Sequence, residues 1–85
     1  VVLNREGGTL RTLDLAKFEQ SLVKTFEDQG HDVKVAAVAG KDLVETLEIS
    51  LGDAGIEAIV VGGGDGTVST AAGMLMGTKK ALGVL

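Results

Sequence analysis

The residues best suited to chemistry form one block, Gly62-Gly63-Gly64-Asp65-Gly66-Thr67. Glycines lack a Cβ, so their backbone N–H groups can approach a ligand closely, and four of them around one acid exceed what a packing turn requires. The ligand this suits is a phosphate or pyrophosphate. Asp65 is unusual in such a loop, because a fixed carboxylate repels phosphates. It becomes useful if it meets a metal ion or takes a proton from a nucleophile. The Walker pattern G-x-x-x-x-G-K-[ST] is absent, since no lysine follows the glycines. The dinucleotide pattern G-x-G-x-x-G fits poorly, because Thr67 stands where the third glycine belongs.

The flanking segments say how the block is held. The apolar run that ends at Val61 reads as a strand over about Glu57 to Val61, buried on both faces. A helix of small residues follows, over about Thr67 to Met76, and its N-terminus adds partial positive charge at the glycines; Thr67 is a candidate both for capping that helix and for phosphate contact. Earlier in the chain, Val1–Leu3 reads as a first strand ending at Asn4, followed by a glycine loop over Arg5–Thr9. A helix is expected from about Thr12 to Gln29, with Thr12 as N-cap and Asp14 in the first turn. Leu15, Phe18, Leu22 and Phe26 give it one apolar face, and Gly30 suits its C-terminal stop. Asp32–Val38 reads as a second strand, preceded by His31 in a loop. A turn at Gly40-Lys41-Asp42 leads, with Asp42 as N-cap, into a helix to Leu51 with Val44, Leu47 and Leu51 facing inward. Lys79-Lys80 reads as a surface turn before a last strand over Ala81–Leu85, and Gly73-x-x-x-Gly77 reads as close packing of the third helix on the sheet.

The order is βαβαβαβ, which predicts an α/β fold: a three-layer, Rossmann-like parallel sheet with right-handed crossovers. In such a sheet every strand delivers its C-terminal end to one edge, where ligands bind. The loops Asn4–Thr9, Ala39–Asp42 and Gly62–Thr67 should therefore line one crevice, with Arg5 and Lys41 read as solvated surface charges beside it.

Bulk properties narrow the function. The chain has 85 residues, enough for one small domain with an aliphatic core, since Phe18 and Phe26 are its only aromatics. The net charge of −4 and the lack of stacking platforms argue against nucleic acid as a partner. Absence of cysteine excludes disulfides and thiolate metal sites and fits a cytoplasmic protein. The chain starts and stops within apolar runs, which reads as a truncated N-terminal domain with further protein after Leu85.

Gly63-Gly64-Asp65-Gly66-Thr67 after an apolar strand resembles the Gly-Gly-Asp-Gly-Thr motif of the diacylglycerol-kinase-like lipid kinases, which NAD kinases share. The lipid-kinase side is favoured by two further stretches. Val1-Val2-Leu3-Asn4-Arg5-Glu6-Gly7-Gly8 looks like that family's opening strand and Asn-Pro-x-x-Gly loop, and Ala81–Leu85 looks like the strand before its Pro-Leu-Gly-Thr-Gly-Asn-type loop. Arg5 replaces the usual proline, Thr70 stands where glutamate is common, and Gly73 where asparagine is frequent. The resemblance implies that residues 1–85 are the nucleotide-binding part of a diacylglycerol-kinase-like catalytic domain, and that a β-rich second domain completes it. It implies an ATP- and Mg²⁺-dependent kinase that phosphorylates a lipid hydroxyl such as that of diacylglycerol. Gly62, Gly63, Gly64, Gly66 and Thr67 would hold the nucleotide phosphates, with Asn4 and Gly40 as further nucleotide contacts. Asp65 would be a catalytic or Mg²⁺-linked carboxylate, with other metal-linked acids and the lipid pocket in the second domain. It further implies a cytoplasmic protein with transient contact at a membrane surface. The alternatives are an NAD kinase using the same loop, and a non-catalytic nucleotide-binding module of the same fold.

Overall fold

The computed structural model describes residues 1–7 and 14–85. Its elements in chain order are β1 (Val2–Asn4), α1 (Leu15–Asp28), β2 (Ala36–Val38), a 3-10 turn (Gly40–Asp42) running into α2 (Leu43–Leu51), β3 (Ala58–Gly62), α3 (Asp65–Leu75) and β4 (Ala81–Val84). The strands form a four-stranded, all-parallel sheet in the order β2-β1-β3-β4. The chain first steps outward from β1 to β2, then crosses back over β1 to β3 and continues to β4. Right-handed crossovers in opposite directions put their helices on opposite faces. That is what the packing shows. Leu22 of α1 packs on Leu3, while Leu43 and Leu47 of α2 and Ala71 and Leu75 of α3 pack on Val2, Ile59 and Val61. The expected three layers are present.

Alternation along the strands makes this possible. Val2 and Leu3 point to opposite faces and both are buried, as a parallel sheet covered on two sides requires. The core is aliphatic and small: its largest fully buried side chains are Leu3, Leu47, Ile59 and Val61. Each contributes about 1.5–3 kcal/mol by leaving water.

The termini of the elements follow from local chemistry. Asp14 is the N-cap of α1, its carboxylate accepting the Lys17 N–H at 3.3 Å, so it lies one step outside the first turn rather than in it. The cap expected at Thr12, and the loop from Gly8 onward, lie outside the described residues. At the other end of α1, the Gly30 N–H donates to the Glu27 carbonyl and the His31 N–H to the Phe26 carbonyl, at 2.9 and 3.0 Å. This is a Schellman stop, and it places Gly30 at φ +84°, where glycine carries no Cβ penalty.

Three expectations need correction. The second strand is shorter than Asp32–Val38: it is an edge strand, and the register pairs only Ala36–Val38 with Val2–Asn4 of β1, its one neighbour. In α2 Leu47 and Leu51 face the core as expected, but Leu43 joins them and Val44 is exposed. Leu43, Leu47 and Leu51 recur at a spacing of four, which leaves Val44 off that face, and Asp42 makes no side-chain cap bond. Gly73 is exposed, and a Cβ there would meet nothing within 4 Å, so the Gly73–Gly77 pair does not pack the helix on the sheet. Gly77 instead lets the chain leave α3 at φ +83°.

Candidate functional site

The strand order reverses between β1 and β3, which places the crevice of an open parallel sheet beyond their C-terminal ends. Asn4 ends β1 and Gly62 ends β3, in a register that pairs Leu3 with Gly62. The two loops touch. Asn4 Nδ2 donates to Thr67 Oγ1 at 3.1 Å, a bond across 63 positions of sequence. Thr67 is buried, and this bond gives its hydroxyl a partner.

Gly63 makes the turn. It lies at φ +151°, and a Cβ there would stand 2.7 Å from Thr67 Oγ1 and 3.1 Å from Asn4 Cβ. Gly7 does the same from the other loop: its Cβ would stand 2.9 Å from the Gly64 nitrogen and 3.4 Å from Gly63 Cα. Only glycines allow the two backbones to come so close. Gly64 then serves as the extended N-cap of α3, and its carbonyl accepts the N–H groups of Thr67 and Val68 at 3.0 and 3.3 Å. The helix therefore begins at Asp65, two residues earlier than the sequence reading, and Thr67 lies within its first turn rather than at its cap. Asp65 and Gly66 are exposed at that N-terminus, where backbone N–H groups lack intrahelical acceptors. Gly66 differs from Gly63 in that a Cβ there would meet nothing within 4 Å.

The third loop joins through a residue that the sequence reading passed over. Asn4 Oδ1 accepts the Glu6 N–H at 3.0 Å, and Glu6 Oε1 accepts the Gly40 N–H at 2.6 Å. The Asn-to-Glu bond, with the Gly7 N–H on the Asn4 carbonyl at 3.1 Å, forms an Asx turn. That turn was legible in an asparagine ending a strand before glycines; its link to Gly40 was not. Gly7 was read as part of that glycine loop, but its approach to Gly64 was not. The structure thus brings Asn4, Gly62, Gly63, Gly64 and Thr67 into one edge and ties Gly40 to them through Glu6. Asp65 and Gly66 lie on the outer side of the same edge, and Arg5 and Lys41 are exposed beside it.

A site of this kind offers backbone donors, one helix N-terminus and two carboxylates, Asp65 free at the helix start and Glu6 bonded to Gly40, at the switch point of a parallel sheet. That arrangement suits phosphate. A family model, the diacylglycerol kinase catalytic domain, matches residues 1–85. The chain belongs to that family. Its diacylglycerol kinase catalytic domain is thus kinase-type, built for nucleotide use, with the motif Gly63–Thr67 at the C-terminal edge of the sheet. No solved structure matches the chain. Among the described residues no helix is long and apolar enough to cross a membrane.

Proposed function

We propose that this domain binds ATP at the β1/β3 switch point and serves a lipid kinase whose acceptor is a lipid hydroxyl such as that of diacylglycerol. The observation that carries the reading is the joining of the Gly62–Thr67 loop to Asn4 at that switch point, with the N-terminus of α3 facing outward. The family match supports phosphoryl transfer, and the opening Asn4 loop supports the lipid branch.

The chemistry follows from the parts. The acceptor hydroxyl oxygen forms a bond to the γ-phosphorus, the bond from that phosphorus to the bridging oxygen breaks, and ADP leaves with the electron pair. Backbone N–H groups at Asp65 and Gly66 stabilise charge on the phosphate oxygens, and they need no reorganisation because the loop is fixed by Gly63 and Asn4. Asp65, exposed at the helix start, receives the hydroxyl proton or orients the hydroxyl.

Among the described residues no three acids or histidines gather to hold a metal. Mg²⁺ needs no such cage, since it keeps waters and binds through one or two carboxylates plus substrate phosphates. To be that carboxylate is the alternative role for Asp65. Mg²⁺ so held would neutralise phosphate charge. The acceptor-lipid pocket belongs, on this reading, to a second domain, so residues 1–85 alone bind nucleotide without phosphorylating lipid.

The test is γ-phosphate transfer from labelled ATP by the full-length protein, with diacylglycerol in mixed micelles and with NAD offered separately. Label in the lipid supports the reading. Label in NAD would replace it with an NAD kinase, and nucleotide binding with no transfer to either would leave a non-catalytic module.

A further inference from the structure

We propose that Glu6 is a positioning residue of the nucleotide site: its carboxylate ties the Gly40 turn to the loop after β1 and thereby sets the width of the crevice. The inference rests on the nucleotide-binding reading above and assigns a role to a residue outside the glycine motif.

Three loops are joined by two side chains. Asn4 reaches from the central strand β1 toward β3, donating to Thr67 Oγ1 at 3.1 Å. Glu6 reaches the other way, toward β2, and accepts the Gly40 N–H at 2.6 Å. The two are coupled, because the Glu6 N–H donates to Asn4 Oδ1 at 3.0 Å. A displacement of Glu6 is therefore passed to Asn4, and through Asn4 to the residue that anchors the glycine loop. The packing agrees: a Cβ on Gly40 would stand 3.2 Å from Glu6 Oε1 and 3.7 Å from Asn4 Nδ2.

The Glu6–Gly40 bond has a charged acceptor, and it meets an N–H at the start of a helical segment, both of which strengthen it. Yet Glu6 is exposed and fills no core. An acidic side chain at an edge suited to phosphate is an electrostatic cost unless its oxygen is engaged elsewhere. Engagement by Gly40 offsets part of that cost and gives the glutamate a purpose: it holds the loop after β2 in place before the nucleotide arrives.

The experiment compares the wild-type protein with Glu6→Ala and Glu6→Gln. Mg²⁺-ADP affinity is measured by calorimetry, hydrogen exchange is followed at the Gly40 amide, and thermal melting is recorded. The Ala variant is expected to bind about fivefold more weakly, the loss of one hydrogen bond's worth of preorganisation. Its Gly40 amide should lose protection, and its melting temperature should fall by no more than the few degrees that one lost hydrogen bond costs. The Gln variant keeps an Oε1 acceptor and should recover most of the affinity and the protection. Equal affinity in all three proteins would overturn the proposal, as would a Gln variant as weak as the Ala variant. A wild-type protein that binds no Mg²⁺-ADP would overturn the nucleotide reading itself and this role with it; a loss confined to the Ala variant leaves that reading standing.

Discussion

The two edges of this sheet close their loops in opposite ways. At the N-terminal edge a long side chain does the work: Lys80 Nζ donates to the Asp53 carbonyl at 2.9 Å and also to the Ile56 carbonyl, pinning the α2–β3 loop to the start of β4. Gly30 closes α1 at the same end by ordinary turn hydrogen bonds. At the C-terminal edge backbone meets backbone, with Gly7 against Gly64 and Gly63 against Asn4 and Thr67. A flexible lysine can move aside for a substitution; two apposed glycine loops cannot. The difference teaches where backbone approach leaves no room: one edge is closed by a movable side chain, the other by glycines at which a Cβ would clash.

Four substitutions should sharpen this contrast, beginning with the largest effect. Asp65→Asn should lower phosphoryl transfer by roughly 10²–10⁴-fold, the range for a positioned proton-transfer group, with melting unchanged. A fall in melting temperature together with retained activity would make Asp65 structural. Gly63→Ala should cost about 2–4 kcal/mol in urea unfolding, because the new methyl adds strain at φ +151° to a clash with Thr67. A neutral result would mean that the loop can shift and that its close approach to Asn4 is incidental.

At the opposite edge the effects should fall on stability alone. Lys80→Met should cost about 1 kcal/mol by removing the ammonium from two carbonyls, with Mg²⁺-ADP affinity unaltered; a change in affinity would show the edges to be coupled. Gly30→Ala should cost about 1 kcal/mol, since alanine pays the left-handed penalty at φ +84°, and again binding should not change.

The sequence made the order of elements readable because each signal was local. The apolar run before Gly62, the periodic Leu15, Phe18, Leu22 and Phe26 of α1 and the stop at Gly30 all act within a few residues. The parallel sheet then followed from the alternation of strands and helices, and with it the meeting of three loops. What escaped depended on partners or phases that spacing does not reveal. Glu6 finds Gly40 across 34 positions. Leu43 takes the inward place expected for Val44, because a spacing of four from Leu47 suits a helix face as well as a spacing of three. Thr67 reads as a cap by residue type, yet Gly64 takes that place, and the threonine hydroxyl is turned to Asn4 instead.

The central claim is that the Gly62–Thr67 loop receives nucleotide phosphates, and Gly66→Ala tests it most directly. Beyond its chain neighbours and its own helix backbone, a Cβ at Gly66 meets nothing within 4 Å, and it stands in a helix's first turn, so the change should leave stability the same or raise it by about 0.5 kcal/mol. The measurement is an amide NMR titration with Mg²⁺-ADP of wild type and Gly66→Ala. Wild-type shifts should be confined to Asn4, Gly40 and Gly62–Thr67, and affinity should be about tenfold weaker in a fully folded variant. Equal affinity in the two proteins, or shifts gathered at the N-terminal edge around Lys80 and Ile56, would contradict it.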